Sequence, residues 1–276
     1  MTSVAGVPGT ETAVTVGYDG AVGLVDLISG KHRLLGYHDH LVNHIAVSAD
    51  GRLAASSSSD HSTQLWNLDD DSLVAVLAGH GDDVEGFAFL DGEHGVSASR
   101  DRRLIVWHLP SATALFDLSG HERDVLSVAS AGDRIVSTGD DATLRTWDRY
   151  TGAPLSILGP FPVETDTCAV DLFRDRAILG ADDGVVRVFD LATQEQVAAI
   201  AAHDVGIKKV AVNAGGEILS AAYDQRLLLW EPETFTLVAE LVRPPGVWER
   251  SISWTPDGRS VLAGTFDGTV VTWRVR

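Results

Sequence analysis

Apolar residues along this chain come in short alternating bursts rather than in helical stripes. Segments such as "LIVW" (104–107), "VVRVF" (185–189) and "LLLW" (227–230) are bounded by turn clusters such as "SADGR", "LDGEH" and "TPDGR". Alternation of Val, Leu, Ile and Thr over four to seven residues between Gly, Asp, Asn and Ser predicts β-strands. A helical period is not sustained over any stretch long enough to predict a helix.

The bursts repeat. "DGAVGLV", "DHSTQLW", "DRRLIVW", "DATLRTW", "DGVVRVF", "DQRLLLW" and "DGTVVTW" begin at Asp19, Asp60, Asp101, Asp141, Asp183, Asp224 and Asp267, spaced 41, 41, 40, 42, 41 and 43 apart. The last residue of each phrase always lies six positions after the aspartate. A period near 41 with four short strands per unit predicts a β-propeller. One unit cannot bury both of its faces, so the seven copies form one domain over residues 1–276. The fold class is therefore all-β: a seven-bladed propeller of four-stranded antiparallel blades.

The phrases also carry "GH" at 79–80 and 120–121, "AH" at 202–203, and the endings "WN", "WD" and "FD". In these the chain resembles the WD-repeat family over essentially its whole length. The resemblance implies a hydrogen-bonded clamp in each complete blade, linking a histidine, a hydroxyl residue, the turn aspartate and the tryptophan. A buried carboxylate needs donors and a buried indole N–H needs an acceptor, and the imidazole and hydroxyl join them. Carried over by position, the clamps are His80, Ser97, Asp101 and Trp107; His121, Ser137, Asp141 and Trp147; and His203, Ser220, Asp224 and Trp230. The second repeat supplies Ser56, Asp60 and Trp66, with either His38 or His40.

A serine, a histidine and an aspartate are also the ingredients of a hydrolase triad. Catalysis needs one activated nucleophile in one cleft, whereas a structural clamp is wanted in blade after blade. Four copies favour the clamp, and no catalytic residue is expected. The losses agree. Repeat five has Phe189 and Leu179 where the tryptophan and hydroxyl belong, repeat one has Val25, and repeat seven keeps Trp273 but has Ala263. A half-satisfied buried network is worse than none, so blades 1, 5 and 7 should rely on apolar packing.

Charge narrows the partners. With 21 Lys+Arg against 39 Asp+Glu the formal net charge is −18, which repels nucleic acid and anionic membranes and favours a protein partner with a basic surface. The single cysteine, Cys168, rules out an intramolecular disulfide. The first residues, "MTSVAGVPGTETAVTVG", show neither a basic leader nor a long apolar run, so a cytoplasmic protein is expected. "YHDHLVNHI" brings His38, His40 and His44 together, but one is wanted by a clamp and the others read as a polar loop. No metal or cofactor is expected.

The family resemblance further implies docking on the face where the residue before each turn aspartate points outward. Those residues are Tyr18, Ser59, Arg100, Asp140, Asp182, Tyr223 and Phe266. A second ring at the starts of the first strands would be Ser3, Asn43, Glu85, Leu126, Cys168, Lys208 and Arg250, each within about one residue. Blades 6, 7 and 1 adjoin in a closed ring, and they concentrate Tyr18, Tyr223 and Phe266 near Lys208, Trp248 and Arg250. With Arg100, these form the expected partner site of a protein-interaction scaffold or sensor module. The alternative is a peptide or small-ligand receptor at the mouth of the channel.

The count of residues leaves one blade short, because seven periods of 41 exceed the 276 residues present. Only "RVR" follows Trp273, and aligning Asp19 with Asp60 commits residues 2–7 to the inner strand of blade 1. Blade 7 should then have three strands and an open edge at about 269–275: either this is a module of a longer protein, or a partner or second copy donates the strand. The competing layout moves residues 2–7 to the outside of blade 7.

Overall fold

A computed structural model describes residues 1–242 and 244–275, and the side chains of all of these except Trp248 and Glu249. Among the described residues there are 27 strands, grouped into six four-stranded sheets and one three-stranded sheet. Every sheet is antiparallel, and its strands lie in the order in which the chain makes them. Blade 3 is representative: Val84–Phe89 is innermost, followed outward by His94–Ser99, Arg103–His108 and Thr113–Ser119. The seven inner strands contact one another in sequence, and the inner strand of blade 7 (Val247–Trp254) meets that of blade 1 (Ser3–Gly6), closing the ring.

The seven aspartates serve first as turn caps. In each blade an Asp Oδ1 accepts the backbone N–H two residues on, at 3.2 Å for Asp19, 3.0 Å for Asp101 and 3.2 Å for Asp267. The residue between adopts a left-handed backbone: glycine in blades 1, 5 and 7, but His61, Arg102, Ala142 and Gln225 in blades 2, 3, 4 and 6. An Asx turn of this kind needs the short carboxylate wherever two strands join tightly. This explains why the aspartate persists in blades that have lost the rest of the clamp.

The core lies between blades. Leu77 of the outermost strand of blade 2 packs on Phe87, Ile105 and Trp107 of blade 3, with all four essentially inaccessible. Face-to-face packing of this kind removes both faces of each sheet from water, which no blade could do alone.

Blade 7 has three strands: Val247–Trp254, Ser260–Thr265 and Val270–Arg274. Ser3–Gly6 pairs with Thr12–Val16 as the inner strand of blade 1, so the open-edge layout holds and the competing one does not.

Candidate functional site

The four clamps have one geometry. In blade 3, His80 Nδ1 lies 2.9 Å from Asp101 Oδ2 and His80 Nε2 2.7 Å from Ser97 Oγ, while Trp107 Nε1 donates to the same Oγ at 2.8 Å. His121, Ser137, Asp141 and Trp147 repeat this at 2.9, 2.8 and 2.9 Å. His203, Ser220, Asp224 and Trp230 do so at 2.8, 2.8 and 3.0 Å. In blade 2 the histidine is His38, bonded to Asp60 at 2.7 Å and to Ser56 at 2.8 Å, with Trp66 donating to Ser56 at 2.8 Å. His40 is exposed.

Because the aspartate accepts from Nδ1–H, Nε2 is left as an acceptor and the seryl O–H donates to it. The proton chain then runs from indole to hydroxyl to imidazole to carboxylate with no donor left over. Burial opposes the charge of Asp60, Asp101 and Asp141, but hydrogen bonds from their histidines and turn neighbours outweigh it and hold these carboxyls below the usual range. Burial pushes His203 down, which keeps it in the neutral form this chain requires.

The distances are those of a hydrolase triad; the surroundings are not. Ser56, Ser97, Ser137 and Ser220 have no exposed surface, and a tryptophan N–H occupies each hydroxyl oxygen. A substrate carbonyl cannot reach any of them. Where the clamp is missing, blade 5 relies on ring packing and blade 7 keeps its indole N–H bonded to a backbone carbonyl. Phe161 stacks obliquely on Phe189 at 5.6 Å in blade 5, and Trp273 Nε1 donates to the Val242 carbonyl at 2.8 Å.

The residues preceding the turn aspartates divide the upper face in two. Tyr18, Tyr223 and Phe266 are 56%, 52% and 60% exposed, on adjoining blades 1, 6 and 7. Blades 3, 4 and 5 carry charge there instead: Arg100, Asp140 and Asp182. Burial, together with Glu164, Asp124 and Asp166 nearby, raises Asp140 to about 6.

The cations expected beside the aromatics do more than flank them. Arg100 Nε donates to Glu85 at 2.5 Å. Lys208 Nζ donates to Asp166 at 2.5 Å and to Asp182 at 2.7 Å, and lies 5.1 Å from the Tyr223 ring centroid. Arg250 reaches from blade 7 to Asp166 at 3.4 Å and to Glu85 at 4.0 Å. Arg100, Lys208 and Arg250 therefore tie together the mouth of the channel across blades 3, 5, 6 and 7. The side chain of Trp248 lies outside the described residues.

One member of the inner ring, Cys168, is corrected, and another, Ser3, shifts by the one residue allowed for. The inner strands of blades 2 to 6 each carry a one-residue bulge at the start, as between Thr165 and Thr167 in blade 5, and the bulged residues Asn43, Glu85, Leu126, Asp166 and Lys208 line one cleft at the mouth. In blade 5 that residue is Asp166, not Cys168, which lies two positions deeper and is buried. In blade 1 the matching position is Thr2, one before the buried Ser3. A bulge of one residue has no sequence signal here, so spacing alone misses it. His44 also leaves its expected loop: it belongs to the strand Val42–Val47 and lines the channel with Cys168, Lys209 and Ser253 around a cavity of about 370 Å³. Burial raises the Cys168 thiol to about 11, so it is neither a ready nucleophile nor a ready metal ligand. Among the described residues, the one grouping with metal-ligand spacing is exposed His61 with Asp82 and Asp83.

Comparison with known proteins agrees with the architecture. The chain is 27% identical over 168 residues to the guanine nucleotide-binding protein subunit beta of Arabidopsis thaliana, covering 54% of this chain and 43% of that one. It is 26% identical over 272 residues to autophagy-related protein 16 of the same plant, covering 95% and 45%. It is 36% identical over 149 residues to human WD repeat-containing protein 37, covering 51% and 30%. The chain thus spans less than half the length of these relatives. The repeat family described as WD domain, G-beta repeat matches residues 31–67, 71–108, 112–148 and 244–274, just over half of the sequence. With the clamps and seven blades in place, the chain belongs to the WD-repeat family of β-propellers.

Proposed function

We propose that this chain is a non-catalytic protein-interaction module whose partner docks on the upper face over blades 6, 7 and 1. The observation that carries the reading is the sector of Tyr18, Tyr223 and Phe266, each more than half exposed at the same outward position of adjoining blades. Exposed aromatics with a basic neighbour are the usual anchors of protein interfaces. Blades 3, 4 and 5 carry charge at that position, and the crowd of carboxylates around Asp140 favours a partner that brings positive charge to the rim.

Tyr223→Ala and Phe266→Ala should each weaken partner capture about tenfold, the scale of a hot-spot truncation, without changing the melting temperature. Asp140→Lys should have a smaller effect. Recovery of every partner at the wild-type level by the aromatic variants would overturn this placement.

A second reading, a small-ligand site inside the channel, is favoured by one observation. His44 Nδ1 and Ser253 Oγ are buried in its wall and find no hydrogen-bond partner among the described residues. Ligand-induced thermal shifts that vanish in Ser253→Ala but persist in Phe266→Ala would support this site over the rim.

A further inference from the structure

We propose that the central channel binds a small carboxylate with a compact apolar body, its anionic head held between Lys209 and His44. The proposal rests on the channel reading above and supplies the ligand class which that reading leaves open.

The inner strands are in register, so the channel wall is built in tiers. In every blade the residue five before the turn aspartate pairs with the same tier of the inner strand: Ala5, Ala46, Ala88, Ala129, Ala169, Ala211 and Ser253. Alanine in six blades and serine in the seventh keep the channel open at this level, around the cavity of about 370 Å³. Two residues nearer the mouth the wall is again small in five blades, with Ser3, Gly86, Ser127, Thr167 and Ser251. Blades 2 and 6 differ and place His44 and Lys209 there. Blades 1 and 7 stand between those two, so the basic side chains come from nearly opposite walls. Both line the large cavity and also a smaller one of about 50 Å³ directly above it, at whose junction they stand.

Neither side chain is satisfied within the protein. Among the described residues Lys209 makes no ion pair, and the ionisable groups that act on it are Cys168 and Arg250. Its neighbour in the strand, Lys208, is bonded to both Asp166 and Asp182. With 39 acidic side chains against 21 basic ones, a lysine without a carboxylate is not explained by want of supply. Burial, with the Lys209 ammonium nearby, pushes the His44 imidazole down to about 3, so it is neutral. His44 Nδ1 and Ser253 Oγ are buried and find no partner among the described residues. An unpaired cation away from water is costly, and an anion brought from outside removes that cost.

The surroundings define the ligand. One cation beside one neutral imidazole suits a single negative charge, with the carboxylate accepting from the ammonium and an imidazole N–H. The Ser253 hydroxyl, one tier lower, is a second polar anchor. Below it Val170, Val212 and Trp254 join the alanines, so the body of the ligand is apolar. The cavity extends to exposed Leu172 at the turn after the inner strand of blade 5, which puts the entrance at the lower end. At the upper end Lys208 and Arg250 converge on Asp166 and close the mouth.

The test compares benzoate and butyrate with their neutral amides, benzamide and butyramide, by calorimetric titration and ligand-observed NMR. The two carboxylates should bind one-to-one, and the amides about tenfold more weakly, the scale of a lost charge-assisted hydrogen bond. Lys209→Met keeps the side-chain volume and removes the charge. It should lower carboxylate affinity about tenfold and leave the amides unchanged. Ser253→Ala should weaken acids and amides alike, and Phe266→Ala neither, which separates the channel from the upper face. Amides that bind as tightly as the acids, and depend on Ser253, would overturn the carboxylate while leaving the channel reading in place. Absence of saturable binding by acids and amides at millimolar concentration would remove both. Carboxylate binding that survives Lys209→Met at full strength would overturn the proposal by placing the ligand elsewhere.

Discussion

Blades 3 and 7 are built from the same phrase, an aspartate followed six positions later by a tryptophan, yet they spend it differently. In blade 3 the indole reaches Ser97, the hydroxyl reaches His80, the imidazole reaches Asp101, and an outer strand covers the sheet. In blade 7 Ala263 stands in for the serine, Trp273 turns to a neighbouring carbonyl, and no fourth strand follows among the described residues. One blade has its polar groups satisfied internally; the other keeps an open ladder edge and presents Phe266 on its rim. Blades 2, 3, 4 and 6 carry the clamps; in the proposed reading the sector of blades 6, 7 and 1 is where a partner would dock.

The comparison can be broken most easily at the tryptophans. Trp107→Phe should cost about 1–3 kcal/mol, because it leaves a buried hydroxyl chain without its terminal donor. Trp273→Phe should cost less than half as much, since it abandons only one bond to a carbonyl at a less buried position. Chemical denaturation of the two variants checks this, and equal losses would remove the distinction between the blades.

Acid should act on the clamped blades. Asp60, Asp101 and Asp141 are held below the usual carboxylate range in the folded state. The stability they contribute is present above the unfolded value near pH ~4 and declines as pH falls through and below it. Thermal scans from pH 7 to pH 3 should therefore show a steep loss of melting temperature below about pH 4, reduced in a variant already lacking the clamp of blade 3.

A smaller effect comes from the turns. Ala142 holds a left-handed backbone at φ 57°, so Ala142→Gly should gain about 0.5–1 kcal/mol. Gly184→Ala in blade 5 should lose more than that, because a Cβ there would lie 2.0 Å from the His203 carbonyl oxygen. The smallest effect is at Asp140. Its folded-state value is raised to about 6, so its stabilising contribution is present at acid pH and lost as pH rises through that value. Asp140→Asn should raise the melting temperature slightly at pH 7.5 and leave it unchanged near pH 4.

Much of this was legible in the sequence because repetition multiplies weak signals. One Asp-x5-Trp phrase means little, but seven in register give the blade count and the shortfall in blade 7, and the family resemblance adds the clamp residues. Features with no residue signature of their own escaped it. The bulge that brings Asp166 to the channel mouth is an offset of one residue in pairing, invisible to spacing. The coupling of Arg250 to Glu85 and Asp166 joins blades far apart in the chain. His44 looked like a loop residue because the polar "YHDH" precedes it; a one-residue bulge after Val42 breaks the two-residue alternation of the strand that holds it, so that Val42 and Ile45 are both buried.

The central claim, that partners engage the rim over blades 6, 7 and 1 rather than over blades 3 and 4, is tested most directly by photo-crosslinking. A photoreactive amino acid is placed singly at positions 223, 266, 100 and 140 in the chain expressed in its own cells. The account predicts specific adducts from 223 and 266 and few from 100 and 140. Adducts at equal yield from all four, or mainly from 100 and 140, would contradict it.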